Sequence, residues 1–255
     1  MDNSVDQGIA DLAQRGRLSA VSCMTQGPSL HANAPWLDGL PVDLGLHLNF
    51  TESFGKTAFH LPLSRLIVAS YLRLLPKAQL ATEINRQLDS FERCFKRPPD
   101  YIDGHQHVHQ LPLIRDSLLA SISQRYPKHR LWLRSTLPAT DATRPYRLKT
   151  DIIAWLGARK MGALAATAGW PMSNHLLGVY DFSPGRAAYQ ALLLRWLNEA
   201  LEDDVLMCHP AKAVAASVAF GQQRVWEHSV LADPDFPNWL AAAGLTITQL
   251  SKRSC

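Results

Sequence analysis

The sequence predicts one α/β domain in which a parallel sheet or barrel is wrapped by helices. Apolar segments of strand length alternate with segments of helical periodicity along most of the chain, which is typical of this class. The 255 residues are 47% hydrophobic and 19% charged, so the chain can bury a sizeable core and is too apolar to be disordered. No internal repeat, Gly/Ser linker or low-complexity block marks a boundary, and we expect a single domain over residues 1–255.

The elements of the first half follow from capping residues and periodicity. Polar residues at 2–6 precede apolar residues at helical spacing, which predicts an N-terminal helix. The apolar, β-branched segment 18–24 predicts a strand. Segment 42–50 alternates, which predicts a second strand with His47 on its less apolar face. Apolar residues at every third or fourth position predict a helix over 78–95.

The second half continues the alternation. A short strand at 101–105 leads to a helix over 111–126 with Pro112 in its first turn. The other predicted strands are 131–133, 176–182 and 205–208, and the other predicted helices are 151–161, 187–201 and 236–243. In folds of this class the functional residues lie at the carboxyl ends of the strands, so polar residues that directly follow a strand are the site candidates.

The most apolar stretch, 60–75, is interrupted by Arg65 and Arg73. A transmembrane helix needs ~20 mostly apolar residues, so no membrane span is predicted. The stretch leaves two alternatives, a lid or core helix and an amphipathic surface helix that faces a membrane.

Charge and cysteine content restrict the function classes. Lys and Arg number 26 against 22 Asp and Glu, a net charge of +4, and they are dispersed along the sequence. A nucleic-acid-binding protein would cluster them, so we expect a small substrate and no nucleic-acid partner. The four cysteines are far apart and form no CxxC pair, which favours free thiols in a reducing cytoplasm.

A histidine-rich run follows the strand predicted at 101–105. If this run is extended, its period of two places four side chains on one face. These four are Asp103, His105, His107 and His109. Imidazole is a common metal ligand that carboxylates orient, so the run predicts a metal or catalytic site. The alternative is a polar turn that caps the next helix.

Three further residues stand in or just after predicted strands. His47 could join one histidine of the run, with a carboxylate completing a two-His, one-carboxylate metal site. His209 follows an apolar strand and precedes Pro210, a position suited to proton transfer or to oxyanion binding, with a structural turn as the alternative. Arg134 has the same placement and is a candidate substrate contact or a surface ion-pair partner.

Four stretches of this sequence resemble the YdjC-like family of carbohydrate deacetylases, a family that includes chitooligosaccharide deacetylases and hopanoid-associated proteins. The stretches are 18–25 (LSAVSCMT), 45–51 (GLHLNFT), 101–112 (YIDGHQHVHQLP) and 207–211 (MCHPA). The resemblance implies an irregular (β/α) barrel of the TIM type. It also implies that His47 and His105 bind a metal and that His209 lies in the active site.

The family pattern opens with a strand that ends in Asp-Asp-Phe-Gly, whose aspartates supply a general base and a third metal ligand. Residues 2–9 of this sequence match the segment that follows this pattern. We therefore expect the given sequence to lack the first strand and both aspartates. Either an upstream start restores them, or the protein is a weakened or inactive member.

The sequence thus predicts a metal-dependent hydrolase that removes an N-acetyl group from an amino sugar, a chitooligosaccharide or a glycoconjugate. Mg²⁺ or Zn²⁺ on His47 and His105 is expected to activate water. His209 is expected to protonate the leaving amine, Asp103 to orient a histidine, and Arg134 and His107 to contact substrate. A weakened or inactive carbohydrate-binding member is the alternative, and a hydrolase of a lipid-linked sugar is a third option suggested by stretch 60–75. The expected partners are the acetylated sugar and, as an alternative to a monomer, a second copy of the chain in a homodimer.

Overall fold

The computed structural model describes residues 2–54, 59–127, 131–139, 145–214 and 219–253. Its strands are β1 Ala20–Cys23, β2 Asp43–Leu48, β3 Tyr101–Gly104, β4 Trp132–Leu133, β5 Leu176–Leu177 and β6 Val205–Leu206. Its α-helices are α1 Asn3–Gln14, α2 Leu30–Asn33, α3 Leu63–Tyr71, α4 Lys77–Phe95, α5 Ile114–Arg125, α6 Arg147–Trp155, α7 Ala158–Ala168, α8 Gly185–Glu199, α9 Gly221–Leu231 and α10 Phe236–Ala242. Three 3₁₀ segments cover Ala34–Leu37, His105–Gln110 and Leu250–Lys252.

All strand pairs in the described residues are parallel, as the alternating sequence predicts. One sheet has four strands in the order β1-β2-β3-β4, and a second sheet pairs β5 with β6. A single bridge between Leu133 and Met172 extends the four-stranded sheet beyond β4. The α/β class with parallel strands is therefore confirmed, whereas closure of the strands into a barrel stays a prediction.

The hydrophobic core has two parts that follow the two sheets. The larger part packs β1 to β4 against α4 and α5, with Leu46, Ile84 and Ile102 fully buried. The smaller part packs β5 against α8, α9 and α10, and it is rich in aromatic side chains such as Tyr180 and Tyr189. Each of the two sheets therefore packs against its own cluster of buried hydrophobic side chains.

Helix prediction is wrong at 151–161, where two helices replace one. Helix α6 ends at Trp155, and α7 begins at Ala158. Gly157 between them has φ 143°, and a Cβ on it would lie 2.3 Å from the Gln110 carbonyl oxygen. The chain must turn here because only glycine allows both this backbone angle and this close approach.

The second half also departs from its predicted strands. The extended segments predicted at 176–182 and 205–208 form only the two-residue strands β5 and β6, and β6 is half-buried instead of buried. Helix α9 was not predicted because its buried face carries polar side chains. These side chains are Gln223, Arg224, Glu227 and His228.

Stretch 60–75 contributes helix α3 and the turn after it. Among the residues that the structure describes, none of the helices combines the length and the apolar character that a bilayer crossing requires.

Candidate functional site

A buried carboxylate, Asp103, organises the carboxyl edge of the four-stranded sheet. The parallel register of β2 and β3 places His47 beside Asp103, and His47 Nδ1 lies 2.7 Å from Asp103 Oδ1. Arg134, which follows β4, forms an ion pair of 2.6 Å with Oδ2 of Asp103. Ser22 of β1 donates its hydroxyl to the same oxygen at 3.0 Å. Side chains from β1, β2 and the end of β4 therefore converge on one carboxyl group of β3.

The charge state of Asp103 follows from its neighbours. Burial alone would raise the pKa of this carboxyl, but the Arg134 guanidinium and then His47 outweigh burial and hold the pKa well below its usual range. Asp103 is therefore ionised at neutral pH and accepts the Nδ1 proton of His47. Nε2 of His47 is then the ring nitrogen that faces away from the carboxylate, as in metal-binding histidines that a carboxylate orients.

His105 lies next to His47 at the same edge. The two ring centroids are 5.5 Å apart in an edge-to-face arrangement. Burial, and then the proximity of His47, lowers the pKa of His105 to about 3, so its imidazole is neutral at pH 7. His105 Nε2 lies 3.7 Å from Oε1 of Glu52, a residue that sequence reasoning missed because it follows β2 at an irregular turn.

The histidine-rich run is not extended, and the prediction that its four polar side chains share one face is wrong. From residue 105 the backbone turns into a 3₁₀ segment in which Gln106 and His107 have φ of 49° and 61°. These left-handed angles interrupt the period of two, so the four side chains do not project from one face of an extended chain. The chain turns here because the next helix, α5, must pack back onto the sheet.

His107 and His109 both contact Arg134. His107 Nδ1 lies 3.2 Å from a guanidinium nitrogen of Arg134, and His109 Nε2 lies 2.9 Å from the Arg134 carbonyl oxygen. Burial, and then the Arg134 charge, lowers the pKa of His109 to about 4 and the pKa of His107 well below its usual value. His109 is fully buried and fixes the turn after β4, which is a structural role.

Arg134 is buried in the protein and is not a surface ion-pair partner. Its guanidinium holds Asp103 and also donates to the Gly104 carbonyl oxygen at 3.0 Å. Arg134 and His107 both line the large cavity described below. Their contact with a substrate stays a prediction.

His209 follows β6, and a second buried carboxylate holds its backbone. Glu227 of α9 accepts the His209 backbone N–H through Oε2 and the Tyr180 hydroxyl through Oε1. Arg224 donates to the His209 carbonyl oxygen at 3.3 Å. The Phe182 ring meets the imidazole edge-to-face at 4.9 Å. Sequence reasoning missed Glu227 and Tyr180, and a lone Glu in a polar helix gives no signal for its burial.

The carboxyl group of this second cluster has its pKa shifted in the opposite direction to that of Asp103. Burial raises the pKa of Glu227 to about 7. Burial, and then the Arg224 charge, lowers the pKa of His209 well below its usual value, so its imidazole is neutral at pH 7. The role of His209 as proton donor to the leaving amine stays a prediction, and the neutral ring must first accept a proton. Nδ1 of His209 is buried without a hydrogen-bond partner among the described residues.

The two clusters line one cavity of about 1160 Å³. This exceeds the ~300–1,000 Å³ typical of small-molecule sites. His47, Asp103 and His105 line it from one sheet and His209 lines it from the other. Most of its remaining wall is apolar, including Leu177, with further charged side chains such as Lys149 and Asp181.

His47 and His105 suit a divalent cation as two imidazole ligands, one of them oriented by a carboxylate. Within the described ranges no group of three or more His, Cys, Asp and Glu side chains is arranged to hold a metal ion. The donor set on this part of the chain is therefore the histidine pair, and further ligands would be oxygens from water or from outside the described residues.

Comparison with known proteins finds one matching family model and several similar proteins. The family model described as YdjC-like protein matches residues 1–242. The carbohydrate deacetylase of Mus musculus is 29% identical over 95% of this chain and 88% of its own length. The chitooligosaccharide deacetylase of Serratia marcescens is 26% identical over 94% and 90% of the two chains. A cellobiose-phosphate cleavage protein from Enterococcus faecalis V583 shares the fold, with a TM-score of 0.65 at 19% identity over 97% and 92% of the two chains.

Proposed function

The chain belongs to the YdjC-like family, and from this premise we propose that it is a carbohydrate deacetylase that hydrolyses the N-acetyl group of an amino sugar, a chitooligosaccharide or a glycoconjugate. Full-length relatives named as carbohydrate and chitooligosaccharide deacetylases support the reaction. The observation that carries the proposal is the convergence of His47, Asp103 and His105 at one end of a cavity that His209 also lines.

We further propose that His47 and His105 hold a divalent cation, Mg²⁺ or Zn²⁺. When bound there, such a cation polarises the acetyl carbonyl and lowers the pKa of water. Asp103 fixes the His47 ring through Nδ1, and Arg134 keeps Asp103 ionised. Removal of such an orienting partner typically weakens metal affinity ~10–100-fold.

His209 is the residue that we assign to proton transfer. Because its imidazole is neutral at pH 7, it enters the reaction as a base and becomes an acid only after it accepts a proton. Since Nδ1 is buried, we assign the transfer to Nε2. The proton accepted from the attacking water would then pass to the departing amine of the sugar, which completes the hydrolysis of the amide.

A second candidate is a carbohydrate-binding member of the family with weakened or no activity. The observation in its favour is that the described residues supply two histidine ligands and no three-residue metal cluster. The cavity would then bind the sugar without hydrolysing it.

We also propose that the two parallel sheets are arcs of one irregular (β/α) barrel in a single domain. Backbone hydrogen bonds from Ser173 to Leu133 and from Leu176 to Leu137 support this, because they connect the end of β4 to the start of β5.

The test combines metal analysis with acetate release from N,N′-diacetylchitobiose. We expect His105→Ala to lose both bound metal and activity, because it removes one of two imidazole ligands. We expect His209→Ala to keep the metal and to lose ~10²–10⁴-fold in kcat, the usual contribution of a positioned acid or base. His31→Ala, a change in the distant helix α2, is the control.

Metal retained at the normal ratio by His105→Ala would exclude the proposed metal site. Saccharide binding without acetate release in the presence of any divalent metal would favour the binding protein over the enzyme.

A further inference from the structure

Positive charge is concentrated in two segments of the chain. Residues 63–77 contain three Arg or Lys and no acidic residue, and residues 145–168 contain four Arg or Lys and one Asp. Together they carry a net charge of +6, whereas the whole chain carries +4, so the remaining residues sum to −2. The fold brings these two segments together, so the molecule has a local excess of positive charge although its basic residues are dispersed along the sequence.

The same segments expose apolar side chains in helical stripes. Val68, Tyr71 and Leu72 are spaced i, i+3, i+4 along and just after α3, and all three are exposed. Leu148, Ile152 and Trp155 are spaced i, i+4, i+7 on α6, and Leu148 and Trp155 are 76% and 77% exposed. Soluble surfaces rarely group such residues, so this arrangement indicates an interaction surface.

Helices α3 and α6 join their stripes into one surface. The rings of Tyr71 and Trp155 stack with centroids 6.0 Å apart and planes within 8°. Leu74, in the turn after α3, is 70% exposed. We call these seven residues the α3–α6 surface: Val68, Tyr71, Leu72, Leu74, Leu148, Ile152 and Trp155. They are seven of the eleven large hydrophobic side chains that the described part of the chain exposes.

Cations accompany this apolar surface. Arg65 lies on the stripe of Val68 and Leu72 at i, i+3, i+7, and Arg73 lies between Leu72 and Leu74. Arg159 and Lys160 begin α7 just after Trp155, and all four of these cations are exposed. Apolar side chains with an aromatic ring and adjacent Arg and Lys are the composition of helices that lie in a bilayer interface.

The α3–α6 surface also borders the cavity. Leu63 and Ile67 of α3 and Ile153 of α6 line the cavity wall, and Ile152 both lines the cavity and is half-exposed. Whatever binds this surface therefore lies beside the wall of the cavity that contains His105.

We propose that the α3–α6 surface docks the protein on an anionic lipid bilayer. The four exposed cations beside this surface, Arg65, Arg73, Arg159 and Lys160, are complementary to anionic headgroups, and the apolar stripes match the interface below them. A second copy is the less favourable occupant, because a symmetric dimer would bring two equal groups of cations together. Docking would place the part of the cavity wall that α3 and α6 form near the lipid headgroups. The inference does not depend on the proposed deacetylase activity, since docking requires no catalysis.

The test is co-sedimentation of the full chain with vesicles of phosphatidylcholine alone and of phosphatidylcholine with phosphatidylglycerol. We expect binding to the anionic vesicles and weaker binding as NaCl is raised, because salt screens exposed charges. Arg73→Gln with Arg159→Gln should weaken partitioning about 30-fold, from about fivefold for each cation. Leu72→Ser with Leu74→Ser should weaken it by about tenfold or more.

Two matched controls are available on the exposed surface. Arg93→Gln on α4 removes a cation outside the patch, and Leu201→Ser removes an apolar side chain that is 60% exposed elsewhere. We expect both to bind vesicles as the parent does, and circular dichroism should show that every variant folds.

Absence of binding to anionic vesicles would overturn the proposal, and so would an equal loss in the control variants. Dimerisation in sedimentation velocity that Leu72→Ser with Leu74→Ser abolishes, without vesicle binding, would assign the surface to a second copy instead. Vesicle binding by a protein without deacetylase activity would support docking and contradict only the proposed function.

Discussion

Asp103 and Glu227 are equally buried, yet their carboxyl groups titrate in opposite directions. Asp103 faces a guanidinium at 2.6 Å and has a lowered pKa. Glu227 accepts hydrogen bonds from a backbone N–H and a hydroxyl, and burial raises its pKa to about 7. Desolvation penalises both charges, and only a directly paired cation compensates it.

The difference separates two ways to position a histidine. In the four-stranded half, an ionised carboxylate holds the His47 ring itself, which suits a ligand that must stay neutral with a fixed tautomer. In the two-stranded half, a carboxyl group near its titration point holds the backbone of His209 and leaves the ring to act on protons. We therefore expect removal of the carboxylate charge to destabilise the four-stranded half far more than the two-stranded half.

Asp103→Asn should produce the largest effect. Asn keeps the shape but leaves the buried Arg134 without a counter-charge, so we expect the free energy of unfolding to fall by about 3–5 kcal/mol. Asp204→Asn is the control, since Asp204 is also buried but pairs with His175, which can remain neutral. It should lose only about 1–2 kcal/mol. Urea unfolding measures both, and equal losses would contradict the role given to Arg134.

Glu227→Gln tests the second half through pH. Between pH 4.5, the ordinary carboxyl pKa, and about 7, folded Glu227 holds a proton that the unfolded chain has released. Raising the pH through this window therefore destabilises the folded protein, by up to about 3 kcal/mol. Gln cannot ionise, so the variant should gain stability relative to the parent from pH 4.5 to 7, with a constant difference above that range.

Urea unfolding at several pH values measures this difference. Glu202→Gln, which removes an exposed partner of Arg253, should keep the pH profile of the parent. Parallel profiles for the parent and Glu227→Gln would show that Glu227 does not titrate in this window.

Tyr180→Phe should have the smallest effect. It removes the hydroxyl that donates to Glu227, which should lower the free energy of unfolding by about 1 kcal/mol. Tyr189→Phe in the same aromatic cluster is the matched control, because the buried Tyr189 hydroxyl has no partner among the described residues. Thermal unfolding should rank the control as the more stable variant, and the reverse order would contradict this contact.

Sequence periodicity predicted the parts of the fold that rest on local apolar patterns. Helix α4 and strand β2 lie within two residues of their predicted bounds. Helix α4 buries one face and exposes the other, and β2 carries an apolar side chain at every second position. Helix α9 was missed because its buried face is polar and is satisfied by distant partners. The run after β3 was predicted as extended because two left-handed residues leave no trace in an alternating pattern.

The sequence by itself determined the parallel α/β class and the positions of His47, His105 and His209 after or within strands. Those features depend on the local spacing of apolar and polar residues, which the chain carries without folding. Only the tertiary structure decided that Arg134 is buried against Asp103, that Glu227 supports His209, and that α3 and α6 share one basic, apolar surface. Each of these contacts joins residues at least 18 positions apart, and their charge states depend on burial that no local pattern encodes.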